Sequence, residues 1–215
     1  MDTKEEASSS SLKPLDLASF GKNLGWSLCG VSEATIRNET QERTDLWLKT
    51  FKGPQMNYLT RRSSERLSPQ NYFKEAQSIL SFGLYYFRGW SEGEAKVSNY
   101  AWGEDYHILL KRKLEETTIA LQKELGSFEY RISVDTSPVL EKAIAIQAGL
   151  GWQGKNTLVI HPKTGSLFFL GEIFTSLPLS TFAASLPVQD HCGTCTRCIE
   201  ACPTEALTPY VLDAG

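Results

Sequence analysis

Residues 106–149 read YHILLKRKLEETTIALQKELGSFEYRISVDTSPVLEKAIAIQAG, and this stretch decides the fold class. Tyr106, Leu110, Leu114, Leu121 and Leu125 recur at steps that share one face of a 3.6-residue helix, and Gly126 ends it as a C-cap. Phe128, Tyr130, Ile132 and Val134 then alternate with Glu129, Arg131 and Ser133, the period of a half-buried strand. Pro138 predicts the first turn of a second helix, filled by Val139 to Ala148 and capped by Gly149. Helix, strand and helix in such close succession predict an α/β or α+β body.

Working outward, Leu15 to Leu24 reads as a helix closed by Gly25, and Trp26 to Val31 as a short strand. A helical pattern over Asp45 to Phe51 stops at Gly53-Pro54. SILSFGLYYF, residues 78–87, is a bounded apolar run and predicts a buried strand. Thr157 to His161 and Ser166 to Thr175 flank Pro162-Lys163-Thr164-Gly165 and predict a strand–turn–strand unit. Residues 177–189 read as an irregular linker. The expected division is a disordered, Ser-rich tail over 1–13, a body over 14–185 and a C-terminal segment over 186–215.

That last segment holds Cys192-x2-Cys195-x2-Cys198-x3-Cys202-Pro203, the bacterial-ferredoxin spacing for iron–sulfur ligation. Disulfides suit an oxidising compartment, and no apolar export segment opens MDTKEEASSSS. Zinc sites usually set a long loop between their two cysteine pairs, whereas here four thiols fall in one short run. In two-cluster ferredoxins the first three cysteines hold one [4Fe–4S] cluster and the fourth serves the other. The sequence ends at Gly215 with no second trio, so the module is expected to be incomplete. Cys29, in WSLCGV, reads as a buried free thiol.

A net charge of −3 offers no global attraction to nucleic acid or anionic lipid, and no apolar run reaches spanning length. Asp135 sits at a strand's C-terminal end before a helix, where α/β folds place functional groups; capping that helix is an equal reading. Gly149, Gly151 and Gly154 in GLGWQGKN allow close backbone approach to a ligand, with Lys155 and Asn156 as donors. A plain glycine-rich connection is the alternative. Arg61, Arg62, Arg66 and Lys52 form a local basic patch, either a solvated face or a phosphate contact. His107, His161 and His191 lack ligand-like spacing.

VDTSPVLEKAIAIQAGLGWQGKNTLVIHPKTGSLFFLGEIFTSLPL, followed by DHCGTCTRCIEACPTEALTPYVLDA, strongly resembles epoxyqueuosine reductase, as do GPQMNYLTRRSSERLSP, GLYYF and YAWGEDYH. The resemblance runs from about residue 15 to the end. It implies a cytoplasmic cobalamin-dependent iron–sulfur oxidoreductase that reduces epoxyqueuosine to queuosine at the tRNA wobble position, the last step of queuosine synthesis. It implies a nitroreductase-like cobalamin-binding body followed by a partial ferredoxin-like 4Fe-4S module. The implied partners are tRNA and an external electron donor, with no membrane and a monomeric state. Residue by residue, it implies a general acid at Asp135 and corrinoid contacts at Arg61, Ser98, Lys155, Asn156 and Thr157. Cys192, Cys195 and Cys198 match the first-cluster trio, and Cys202 a ligand of the second cluster. Lys142 stands where the family commonly has Arg. The competing readings are a reductive dehalogenase-like enzyme and a corrinoid-binding electron carrier.

Overall fold

The computed structural model describes residues 13–50, 57–90 and 97–213. Helix α1 spans Leu17–Asn23, strand β1 Leu28–Glu33 and helix α2 Asn38–Thr50. Three short helices follow: α3 Asn57–Arg61, α4 Ser63–Leu67 and α5 Pro69–Tyr72. Strand β2 is Ser78–Tyr85, helix α6 Tyr106–Leu125, strand β3 Tyr130–Ser133 and helix α7 Glu141–Gln147. Strands β4, Trp152–Gln153, and β5, Val159–Ile160, precede β6, Phe168–Thr175. The C-terminal segment holds α8, Arg197–Glu200, and the pair β7, Leu207–Thr208, and β8, Val211–Leu212. The expected disordered tail lies, except for Lys13, outside the described residues, as do Lys52 and the Gly53-Pro54 break.

The main sheet runs β1–β2–β6–β3 and every pairing is antiparallel, so the body is α+β. β6 is central. Alternation along it sends Phe169, Gly171 and Ile173 to one side, and Phe168, Leu170, Glu172 and Phe174 to the other. On the first side α1 and α6 cover a core of Leu17, Trp26, Leu80, Phe82, Leu110, Leu114, Leu121 and Ile173. On the second side α7 brings Ile144 against Ile79 and Phe174. Gly30 lets α7 come down onto the sheet: a Cβ there would lie 1.9 Å from the Ala148 carbonyl oxygen.

Several expectations shift. α6 forms where its apolar stripe places it, capped by Asp105 at the start and Gly126 (φ +84°) at the end. In β3, Phe128 and Val134 are buried but Tyr130 is exposed and Ser133 is not. Both faces of β3 are partly covered, so simple alternation fails there. α7 begins at Glu141 rather than at Pro138, because residues 135–140 form a loop around Asp135, whose φ is +48°. The two arms flanking Pro162–Gly165 share only a bridge between His161 and Gly165. They then diverge, β5 pairing with β4 while β6 enters the main sheet. Cys29 is a free thiol whose pKa burial pushes up to about 12, as an inert core cysteine requires. Among the described residues no helix is long and apolar enough to cross a membrane.

Candidate active site

Asp135 leaves the end of β3 in a left-handed conformation that a non-glycine residue holds only when its surroundings enforce it. Here three groups do so. The Glu141 carboxylate accepts the Asp135 backbone N–H at 2.5 Å. The Tyr106 hydroxyl contacts the Asp135 carboxylate, and the His107 Nε2 lies 3.0 Å from Asp135 Oδ2. The carboxylate makes no capping bond to α7, whose N-cap position is Leu140, so the capping reading of Asp135 does not hold.

α6 delivers its first turn to this loop. Asp105 accepts the His107 backbone N–H at 2.9 Å as a helix cap and holds His107 Nδ1 at 2.7 Å. His107 therefore lies between two carboxylates, and hydrogen bonds to Asp135 and Asp105 raise its pKa. Tyr106 stacks on His107 at 4.0 Å and lies parallel to Phe169 at 4.5 Å, which in turn meets Tyr86. Tyr100 touches the same wall at 6.4 Å, bringing in the turn that follows Ser98.

Beneath the loop lies a row of buried polar groups. Ser81, Glu172 and Ser133 are direct cross-strand neighbours and none has exposed surface. Neither oxygen of Glu172 has a hydrogen-bond partner, and burial raises its pKa well above the usual carboxylate range. The Glu141 carboxyl, turned away from water, is pushed up to about 7 by the same desolvation.

The 154–157 loop faces α7. Lys142 donates to the Thr157 carbonyl at 3.1 Å, so the segment predicted to line a ligand is tied to the helix that follows Asp135. Thr157 is itself left-handed, at φ +67°. The loop's glycines do not form a ligand cradle. Their missing side chains admit the chain itself: a Cβ at Gly149 would lie 2.4 Å from the Leu186 oxygen, and one at Gly151 2.3 Å from the Ile160 oxygen.

Lys155 reaches the cysteine run. Its ammonium donates to the carbonyls of Gly193 at 2.7 Å and Cys195 at 3.0 Å, and its own carbonyl accepts from the Tyr210 N–H at 3.0 Å. Tyr210 donates to Asp190, which also accepts the Cys192 N–H. Cys192, Cys195, Cys198 and Cys202 are all free thiols, three for a first cluster and one for a second by their spacing, and among the described residues they are not gathered into a group of three that could hold a metal ion. Tyr100, Trp102 and Leu158 are exposed, and the buried indole N–H of Trp152 has no hydrogen-bond partner among the described residues.

Two expected residues stand apart. Arg61 ends α3 exposed, and among the described residues no hydrogen bond or ion pair joins it to Asp135 or to the 155–157 loop. Ser98 is exposed, and only its carbonyl is engaged, by Ala101 N–H. The basic patch is partly spent internally, since Arg62 pairs with Glu65 while Arg66 donates to the Leu59 and Tyr58 carbonyls. Sequence reasoning passed over His107, Glu141 and Glu172. The DYH tripeptide, an acid two residues before a histidine at a helix start, was the available signal for the first.

Residues 66–136 match the family model described as "Epoxyqueuosine reductase QueG, DUF1730". The chain is 40% identical over 202 residues to the epoxyqueuosine reductase of Leadbetterella byssophila, covering 93% of this chain and 66% of that one. It is 40% identical over 195 residues to that of Cellulophaga algicola, covering 89% and 63%. Among solved structures, epoxyqueuosine reductase from Streptococcus thermophilus superposes with a TM-score of 0.78 at 28% identity, covering 92% of this chain and 54% of that one. An epoxyqueuosine reductase bound to a tRNA-Tyr epoxyqueuosine-modified stem loop gives 0.76 at 27%, covering 92% and 53%. The Bacillus subtilis enzyme, with its catalytic aspartate loop swung out of the active site, gives 0.75 at 25%, with the same coverage. The chain thus spans less than two thirds of the length of the relatives it matches.

Proposed function

We propose, from the premise that this chain belongs to the epoxyqueuosine reductase family, that it acts in the reduction of epoxyqueuosine to queuosine at the wobble position of tRNA. The carrying observation is that one loop joins both kinds of chemistry. On one side Lys142 ties Thr157 to the helix behind Asp135, and on the other Lys155 ties the loop to Gly193 and Cys195.

In this reading Cys192, Cys195 and Cys198 hold a [4Fe–4S] cluster and Cys202 serves a second. Asn156, Thr157 and the stem of Lys155 would border the corrinoid, with Arg61 and Ser98 as the further contacts that the resemblance implies. Cobalamin, when bound, would supply reducing power at the epoxide carbon, and the iron–sulfur centres would supply single electrons. Asp135 holds a proton at its carboxyl and delivers it to the departing oxygen. Its loop is fixed by Glu141 and Tyr106, and the aromatic wall of Tyr106, Phe169 and Tyr86 keeps water from that side. The protein works in the cytoplasm as a monomer on tRNA, with an external one-electron donor.

The test is anaerobic incubation of the full-length, cluster-reconstituted protein with cobalamin, a strong one-electron reductant and tRNA carrying epoxyqueuosine. Nucleoside mass spectrometry should show loss of one oxygen. Corrinoid bound with no oxygen lost would replace the reductase reading with that of a carrier.

A further inference from the structure

Removing an epoxide oxygen as water breaks two C–O bonds and consumes two electrons and two protons. Asp135 carries one proton. A second must reach the site in every cycle, and the acid must be recharged before the next. We propose that His107, held by Asp105, is the positioning residue that stores a proton beside Asp135 and hands it to that carboxylate. This inference rests on the reductase reading for its chemistry and on the contacts of the Asp135 loop for its residues.

The geometry is a continuous line. The side chains of Asp105 and Asp135 are 57% and 50% exposed, so water reaches both ends of the line. His107, 31% exposed, bonds Asp105 through Nδ1 at 2.7 Å and bonds Asp135 through Nε2 at 3.0 Å. Two states share this frame. With Asp135 ionised, His107 is the imidazolium and its Nε2–H donates to Asp135 Oδ2. With Asp135 protonated, the imidazole is neutral, Nε2 accepts, and Nδ1–H stays on Asp105. Moving the proton across the 3.0 Å bond needs no rearrangement, and Asp105 fixes both tautomer and ring plane. The ring is held by Tyr106, which stacks on it and contacts Asp135 as well. The groups facing His107 are Asp105, Asp135, Tyr106 and, more distantly, Glu141, so its field is anionic throughout and favours the imidazolium.

Glu141 does not compete for this task. Its bond to Asp135 is made to the backbone N–H and holds the loop's conformation. The electrons come from the external one-electron donor, and the proton taken from His107 is replaced from solvent at Nε2, the nitrogen the transfer leaves bare, since Nδ1 keeps its hydrogen on Asp105.

Two measurements test the relay, one without turnover. In the first, the imidazole of His107 is titrated by NMR in the isolated protein. Its pKa should lie above the ordinary histidine value and fall in Asp135→Asn and in Asp105→Asn. An ordinary value unmoved by either change overturns the proposal, whatever the reaction. The second uses full-length reconstituted protein on epoxyqueuosine-bearing tRNA. His107→Ala should lower the rate by roughly 100-fold, the lower end for an acid–base group. Added imidazole should restore much of it, with a pH profile that follows the added buffer. A wild-type rate and pH profile in His107→Ala would overturn the relay. A wild-type protein that removes no oxygen would sink the reductase reading instead and leave the NMR result to decide the couple.

Discussion

Glu172 is the residue whose cost the fold carries most plainly. It has no exposed surface, and neither of its oxygens is hydrogen-bonded. Burial holds it protonated, and Glu141 beside it is raised to about 7. The sign follows from proton binding. Above the ordinary glutamate pKa the unfolded chain releases these protons while the folded chain keeps them. Stability is therefore greatest at low pH and is lost as pH rises through about 7, where Glu141 titrates, with Glu172 adding a loss of the same sign. Denaturant unfolding should show a fall on the order of 2 kcal/mol from pH 5 to pH 8. Glu172→Gln should remove part of that fall and match or exceed the wild type at pH 8; an unchanged pH slope would show that Glu172 is ionised in the fold. Asp135 gives the complementary case. Because it caps no helix, Asp135→Asn should leave the melting temperature nearly unchanged while lowering oxygen removal by roughly 100- to 10,000-fold. The place of Asp135, after a strand and before a helix, was legible because the alternation before it and the apolar run after it are local. His107 was not, because it is defined by a partner two residues before it and another 28 residues on. Glu172 was illegible because it is a lone charge on the face of β6 that carries Phe168, Leu170 and Phe174, and only the sheet order shows that this face is covered.

Among the elements, α6 was readable from its start near Tyr106 to its end at Gly126, because its apolar stripe and glycine stop are local, while its N-cap Asp105 was not read. Sheet order was not, since β6 pairs with β2 and β3 across long stretches of chain and nothing local distinguishes a hairpin arm from a central strand. The hairpin expected around Pro162–Gly165 failed for that reason: the turn chemistry is real, with Gly165 at φ +69°, but the arms have better partners elsewhere. The seating of α7 on the sheet is the element-scale feature that sets the site, because α7 carries Glu141 and Lys142 toward the Asp135 and Thr157 loops. That seating depends on Gly30, where a methyl group would meet the Ala148 carbonyl at 1.9 Å. Backbone cannot yield as a side chain tip does, so Gly30→Ala should cost about 2–3 kcal/mol, read from the denaturant midpoint. Gly103→Ala, with open space around the added methyl group, should fall within about 0.5 kcal/mol of wild type. Equal effects at the two positions would refute the close contact of α7 with β1.

At the scale of the whole molecule, the cysteine run was the easiest feature to see and its attachment the hardest. Spacing named the four thiols, but nothing in GLGWQGKN announces that Lys155 spends its ammonium on the Gly193 and Cys195 carbonyls. This clamp, with the Tyr210–Asp190–Cys192 chain beside it, holds residues 190–210 against the body. Charge-assisted bonds to carbonyls are the stronger kind, but these are near the surface and screened, so together they contribute about 1–2 kcal/mol. That is too little to govern folding of the body and enough to set how often the cysteine loop opens. Lys155→Met keeps the aliphatic stem and removes the donors. Its melting temperature should stay close to that of the wild type, while amide hydrogen exchange across residues 190–210 speeds by roughly tenfold, the ratio that about 1.4 kcal/mol of local opening implies. Anaerobic reconstitution should then give less iron and sulfide per chain, because the thiolates must be gathered from a looser loop. Lys155→Arg should lie between the two. Unchanged exchange over residues 190–210 in Lys155→Met would mean that the segment is held by β7, β8 and Tyr210 alone, and that the lysine is free to face a ligand.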